Sequence, residues 1–226
     1  MRKKDDFCIG DVLTPEELNW VASQLLNGEF VDGKITAGVG ASSVKDNLQL
    51  KADSPLVQQL NKVVIQALWR AQPFQMATRP KIIRPAIFSK YEPGMKYGTH
   101  IDNALMAGEN YMMRTDLSVT VFLSPASSYT GRELVIESPH GEQAVKLDSG
   151  ALVVYPSTSL HSVEMVTQGV RLAAVTWVQS PSRDAHQREI LLDLDTARQS
   201  IFEKHGNTPE FDSLCKSFTN LGSRIK

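Results

Sequence analysis

A chain of 226 residues, 42% hydrophobic and 22% charged, has enough material for one well-filled domain with helical additions, but not for two independent ones. Its net charge of −1 excludes a long-range pull toward nucleic acid or an anionic membrane. No apolar run approaches the roughly 18 residues of a membrane span, and MRKKDDFCIG lacks the apolar stretch of a signal peptide. The expected location is therefore cytoplasmic, with neither nucleic acid nor membrane as a partner.

The first element is a helix. Thr14-Pro15-Glu16-Glu17 is a capping box with proline at the first helical position, and Leu18, Val21 and Leu25 follow at helical spacing. Ser54-Pro55 repeats the start signal, with Leu60, Val64, Ala67 and Leu68 as the apolar stripe. Between these helices, residues 30–50 are glycine-rich and polar, which predicts loop with short strand, placed to fold over a site. From Ile82 to Gln179 the pattern changes to short β runs broken by turns. IIRPAIFSKY comes first, and Pro85 within it points to a sheet edge or bulge. TDLSVTVFLS alternates strictly, with Leu117, Val119 and Val121 on one face and Asp116, Ser118 and Thr120 on the other. ELVIE and QAVKL flank Ser-Pro-His-Gly, a hairpin signal that places His140 in an exposed turn. ALVVY, HSVEM and VRLAAVTWVQ complete the set.

After Ser180-Pro181 helical spacing returns, with Ile190, Leu194, Ala197 and Ile201 along one face. Thr208-Pro209 opens a last helix with Phe211, Leu214, Cys215 and Phe218 inward. Cys8 and Cys215 make neither a disulfide framework nor a metal knuckle. The expected fold is mainly β with flanking helices, a sandwich or jelly roll rather than a parallel α/β sheet. Its parts are an N-terminal helical and loop region over 1–80, a β core over 81–180 and a C-terminal helical extension over 181–226.

The chemistry centres on Tyr97-Gly98-Thr99-His100-Ile101-Asp102. Residues two apart on a strand point to the same side, so His100 and Asp102 can grip one metal ion. His-x-Asp alone is weak, and a surface pair is its ordinary reading. His161, beginning a strand after Tyr155-Pro156-Ser157, adds a third donor. Two imidazoles and a carboxylate form the facial triad that leaves open positions on iron(II). Ten residues on, Arg171 sits in an apolar strand and needs a buried anionic partner. That partner is either an acid such as Glu133 or Asp148, or the carboxylate of a ligand held in two-pronged geometry. Ser118 and Thr120, on the polar face of their strand, bond either a bound ligand or neighbouring backbone. Glu109 and Arg114 fall in a candidate substrate-side loop. His186 and His205 read as tail residues without a catalytic part.

His100-x-Asp102, His161 and Arg171 within a β-rich stretch resemble the iron(II)/2-oxoglutarate dioxygenase superfamily. Tyr91-Glu92-Pro93-Gly94 ahead of His100 is similar to prolyl 4-hydroxylase-like members. Arg114-Thr115-Asp116-Leu117-Ser118, Phe122-Leu123, Glu133-Leu134, Gly150 before Val154-Tyr155-Pro156, and Trp177-x-Gln179-Ser180 sharpen the likeness to the PKHD-type hydroxylases, over most of the chain. The resemblance implies a double-stranded β-helix core, a form of jelly roll. It implies His100, Asp102 and His161 as ligands of iron(II), Arg171 on the far carboxylate of 2-oxoglutarate, and Tyr91 as a further contact. The implied reaction consumes oxygen and 2-oxoglutarate, with ascorbate as an accessory, and hydroxylates an amino-acid side chain in a peptide or protein. Two positions depart from the pattern. Phe122 stands where prolyl hydroxylases often carry a tyrosine, and Arg132 where relatives often carry a glycine. A jelly-roll isomerase or hydrolase would need neither Arg171 nor 2-oxoglutarate, and a non-catalytic iron or 2-oxoglutarate sensor would keep the site without turnover.

Overall fold

Strand Leu117–Phe122 shows how alternation builds two cores from one sheet. All six of its residues are buried. Leu117, Val119 and Val121 pack with Val21, Leu25, Leu60, Val64 and Leu68 from the helices, whereas Phe122 turns the other way, onto Leu134, Ile136, Tyr155 and Val163. One core therefore lies between a sheet and its helices, the other between two facing sheets. In this computed structural model the residues described are 7–108, 111–131, 133–138 and 141–225. Glu109, Arg132 and His140 lie outside them.

The larger sheet has eight strands. Phe7–Ile9, Leu152–Pro156, Leu117–Phe122, Arg171–Gln179, Ile87–Tyr91, Leu48–Leu50 and Phe30–Asp32 run in that order, and Ile82–Ile83 pairs separately with Arg171–Gln179. The smaller sheet runs Gly141–Val145, Leu134–Ser138, His161–Val163, Lys96–His100, Lys45–Asp46. Pairing is antiparallel throughout these two sheets. This is the double-stranded β-helix, mainly β with flanking helices. Strands from the first 50 residues are built into both sheets. Residues 45–50 cross from one sheet to the other, so the polar segment between the first two long helices closes one side of the sandwich.

Local signals account for the helix starts. Thr14 accepts from Glu17 N–H, and the Glu17 carboxylate accepts from Thr14 N–H at 2.9 Å, opening helix Pro15–Leu26. Arg70 at the end of helix Pro55–Arg70 clamps Glu17 at 2.8 and 2.7 Å. That guanidinium holds the Glu17 carboxyl below the usual carboxylate range.

One expectation is narrowed and two need correction. Of the two readings of Pro85, the structure favours the bulge over the edge, because Ile87–Tyr91 lies between two neighbours and the register against Arg171–Gln179 slips by one residue between Ile83 and Ile87. The proline splits one strand into two, and the Asn61 side chain serves the buried Ala86 backbone, left without a strand partner, at both its N–H and its carbonyl. Asp116 does not join Ser118 and Thr120 on the inner face. It precedes the strand, pairs with Arg114 at 2.6 Å and accepts from Ser180 N–H. Helix Ala185–His205 buries Arg188, Leu191, Leu192 and Asp195, while Ile190 is 49% exposed. Arg188 is tolerated inside because it donates to the Ser182 carbonyl at 2.7 Å, and Asp195 because it pairs with Arg198 at 2.6 Å and Arg79 at 3.6 Å. In the last helix, Pro209–Gly222, the inward residues are only half-buried.

Candidate metal centre

Strands Lys96–His100 and His161–Val163 are neighbours, and their register sets His161 opposite His100. Asp102 follows just beyond the first of these strands. One ligand atom from each of His100, Asp102 and His161 can be chosen so that all lie within 4.8 Å of one another. His161 Nε2 is 3.8 Å from Asp102 Oδ2. His100 Nδ1–H donates to the Gly98 carbonyl at 2.8 Å, and His161 Nδ1–H to the Ser159 carbonyl at 3.0 Å. Since a carbonyl can only accept, both Nε2 lone pairs are left free for a metal. Burial and the neighbouring His161 hold His100 down to about 4 despite its bond to Gly98 and the charge of Asp102. It is therefore neutral, as a ligand must be.

Gly98 serves this arrangement by its lack of a side chain. A Cβ there would sit 2.9 Å from the Val44 Cβ, and its N–H donates to the Val44 carbonyl. The close approach seats Lys45–Asp46 along the strand that carries His100. Tyr97 stacks on the His100 ring at 3.6 Å between centroids, and Lys45 Nζ stands 5.0 Å from the Tyr97 ring. Lys45 is a residue that sequence reasoning missed, since nothing in its local pattern ties it to a histidine 55 positions on.

Arg171 is 2% exposed and lines the same cavity. Its guanidinium lies 5.3 Å from the Tyr91 ring and 5.4 Å from the Phe122 ring, and its Nε and Nη2 have no hydrogen-bond partner. Neither Glu133 nor Asp148 pairs with it. Asp148 instead accepts from Ala126 N–H. Tyr91 and Thr120 also line the cavity, and the Thr120 hydroxyl bonds Tyr155, whose own hydroxyl burial pushes well up. Ser118 is placed differently from Thr120. It donates to Asp102 Oδ2 at 2.5 Å and meets Ser157 Oγ at 2.8 Å, behind the carboxylate rather than in the cavity. Arg114, expected near substrate, is committed to Asp116 and the Ser180 carbonyl. His186 and His205 are exposed on the tail.

Residues 86–179 match the 2OG-Fe(II) oxygenase superfamily. A PKHD-type hydroxylase of Picosynechococcus is 53% identical over 215 residues, covering 95% of this chain and 96% of its own length. Another, from Thermosynechococcus vestitus, is 51% identical over 213 residues, covering 94% and 95%. The chain belongs to the PKHD-type hydroxylases. As a PKHD-type hydroxylase it is an iron(II)- and 2-oxoglutarate-dependent dioxygenase, which sets aside the isomerase, hydrolase and sensor readings. Its fold is shared with solved structures at low identity. A Pseudomonas putida prolyl-4-hydroxylase superposes with a TM-score of 0.55 at 16% identity, covering 78% of this chain and 92% of that one. A Trichoplax adhaerens prolyl hydroxylase gives 0.57 at 17%, covering 77% and 83%. The residues of the PKHD-type hydroxylase fit its cofactors. Two imidazoles and a carboxylate suit iron(II), and a buried arginine with unused donors suits a carboxylate. Among the described residues no helix is long and apolar enough to cross a membrane.

Proposed function

We propose that His100, Asp102 and His161 hold the iron of this dioxygenase. In this reading Arg171 receives the far carboxylate of 2-oxoglutarate, and the group oxidised is an amino-acid side chain in a peptide or protein. The observation that carries it is the unpaired Arg171 in the triad's own cavity. A buried guanidinium without an anion costs several kcal/mol, and a dicarboxylate whose other end reaches the metal removes that cost.

Iron(II), when bound, supplies the oxygen activation that couples decarboxylation of 2-oxoglutarate to succinate with hydroxylation of a C–H bond. The chain's own residues orient and exclude. The backbone carbonyls of Gly98 and Ser159 fix the two imidazoles. Ser118 holds one Asp102 oxygen and so fixes the carboxylate's direction. Arg171 sets the co-substrate's axis, with Tyr91 and Thr120 beside it. Leu134 and Val163 dry the wall.

A peptide or protein substrate is supported by a long open groove that continues the cavity. Asn103, Met106 and Trp177 line both, and Leu105 and Tyr111 extend the groove outward. Trp177 Nε1 is a buried donor without a partner, placed for a carbonyl of an extended ligand. The Trichoplax neighbour is itself in complex with a hypoxia inducible factor peptide fragment.

The test loads iron(II) anaerobically, adds oxygen, 2-oxoglutarate and a random peptide library, and follows succinate and peptide mass. Wild type should bind one iron per chain and add one oxygen atom to a subset of peptides. His161→Ala should lose stoichiometric iron, because two remaining protein ligands hold a labile ion poorly. Tight binding by that variant removes His161 from the triad. Oxygen transfer to small molecules alone removes the peptide.

A further inference from the structure

With iron(II) and 2-oxoglutarate bound as proposed above, the charges of the cavity cancel in pairs, with one exception. The two positive charges of the metal meet Asp102 and the 2-oxo acid end of the co-substrate. Arg171 meets the far carboxylate. Among the described residues lining the cavity, the remaining Lys, Arg, Asp or Glu is Lys45. It is 5% exposed and forms no ion pair among the described residues. Its ammonium donates to Thr36 Oγ1 at 3.0 Å, and Thr36 Oγ1 passes a bond of 2.6 Å to Gln49 Oε1. That relay fixes where the ammonium points without neutralising it.

We infer that Lys45 is the anchor of a substrate subsite, and that it takes a carboxylate of the primary substrate. The inference rests on the triad and Arg171 reading for its charge count. Three further observations favour it. Asn47 lines the same cavity and is buried with both side-chain amide atoms unpartnered, so a second donor accompanies the cation. Lys45 lies on a strand of the smaller sheet, whereas Arg171 lies on a strand of the larger one. The two cations therefore serve different walls. Finally, one ammonium matches one carboxylate, while a doubly charged phosphate would leave buried charge uncompensated. A substrate with an acidic side chain or a free C-terminus beside the oxidised position meets these demands.

The test uses full-length protein loaded with zinc(II) and saturated with 2-oxoglutarate under argon, so that Arg171 is already occupied. The probes are the α-amide of N-acetylglutamate against the α-amide of N-acetylglutamine, and two C-terminally amidated random hexapeptide libraries that differ only in carrying Asp and Glu or Asn and Gln. Wild type should bind each acid about tenfold or more tightly than its amide, the scale of one charge-assisted hydrogen bond. Lys45→Met should erase the difference, Lys45→Arg should keep most of it, and 2-oxoglutarate affinity should be the same in all three. Equal binding of acid and amide by wild type overturns the inference. So does an acid preference that survives Lys45→Met. A loss of 2-oxoglutarate affinity in Lys45→Met moves the lysine to the co-substrate and overturns it too. If the small acid is preferred but neither library binds, the peptide reading falls and Lys45 stands. If 2-oxoglutarate does not load at all, the Arg171 reading falls and takes this one with it.

Discussion

Arg171 is the residue at which burial and function are most tightly joined. It is among the largest fully buried side chains of the protein, yet two of its nitrogens bond to nothing described. A scaffold arginine would have found Glu133, Asp148 or a run of carbonyls. We expect Arg171→Leu to keep iron and lose 2-oxoglutarate affinity by about 30- to several-thousand-fold, from roughly 2–5 kcal/mol for a truncated buried charge pair. Arg171→Lys should recover only part, since one ammonium cannot reproduce the two-pronged grip. Calorimetry on metal-loaded variants, with melting temperature read on the same samples, separates the roles. Unchanged affinity in a destabilised protein would return Arg171 to the scaffold. The candidate triad was legible at this scale because its residue types and spacing are themselves what a metal site requires. Ser118 was half-legible, since alternation gives the face of a side chain but not which neighbour it meets there.

Elements with a local cause were easy to read. Thr14, Glu17 and Pro15 bring their own hydrogen bonds and backbone angle, so the helix start needs nothing distant. The C-terminal helices were harder. Their existence followed from spacing and from the Thr208-Pro209 start, but the buried face of Ala185–His205 includes Arg188, which bonds the Ser182 carbonyl ahead of the helix, and Asp195, which pairs with Arg79 from another helix end as well as with Arg198. Hydrophobic pattern ranks such positions as surface. The two helices also differ in anchorage. The first buries Leu191 and Leu192, whereas the second touches through the Phe202–Phe211 pair at 5.2 Å and the Phe218 ring beneath Arg79 and Arg198. Amide exchange should therefore be slow over 185–205 and distinctly faster over 209–222. Uniformly rapid exchange across both would contradict docking of the tail.

For the whole molecule, the strands that bring the candidate triad together lie in the smaller sheet and Arg171 lies in the larger, so a ligand held by both would link binding to stability. On metal-loaded protein, 2-oxoglutarate at about 100 times its dissociation constant should add about 2.7 kcal/mol, or roughly 5–10 °C in melting temperature for a chain of this size. Scanning calorimetry checks this. A shift of the same size in metal-stripped protein would mean that the co-substrate is held without the triad. The sequence by itself determined the β core, the helix starts, the three metal-ligand candidates and the arginine. Each is written in residue type and short-range spacing, which covalent geometry converts directly into direction. Only the tertiary structure decided that Ser118 stands behind Asp102, that Pro85 splits a strand inside a sheet, and that Lys45 enters the cavity. These follow from pairings between segments far apart in the chain. The partner at such a pairing is chosen by the packing of the whole, because a hydrogen bond or ion pair forms with whatever the fold brings within reach.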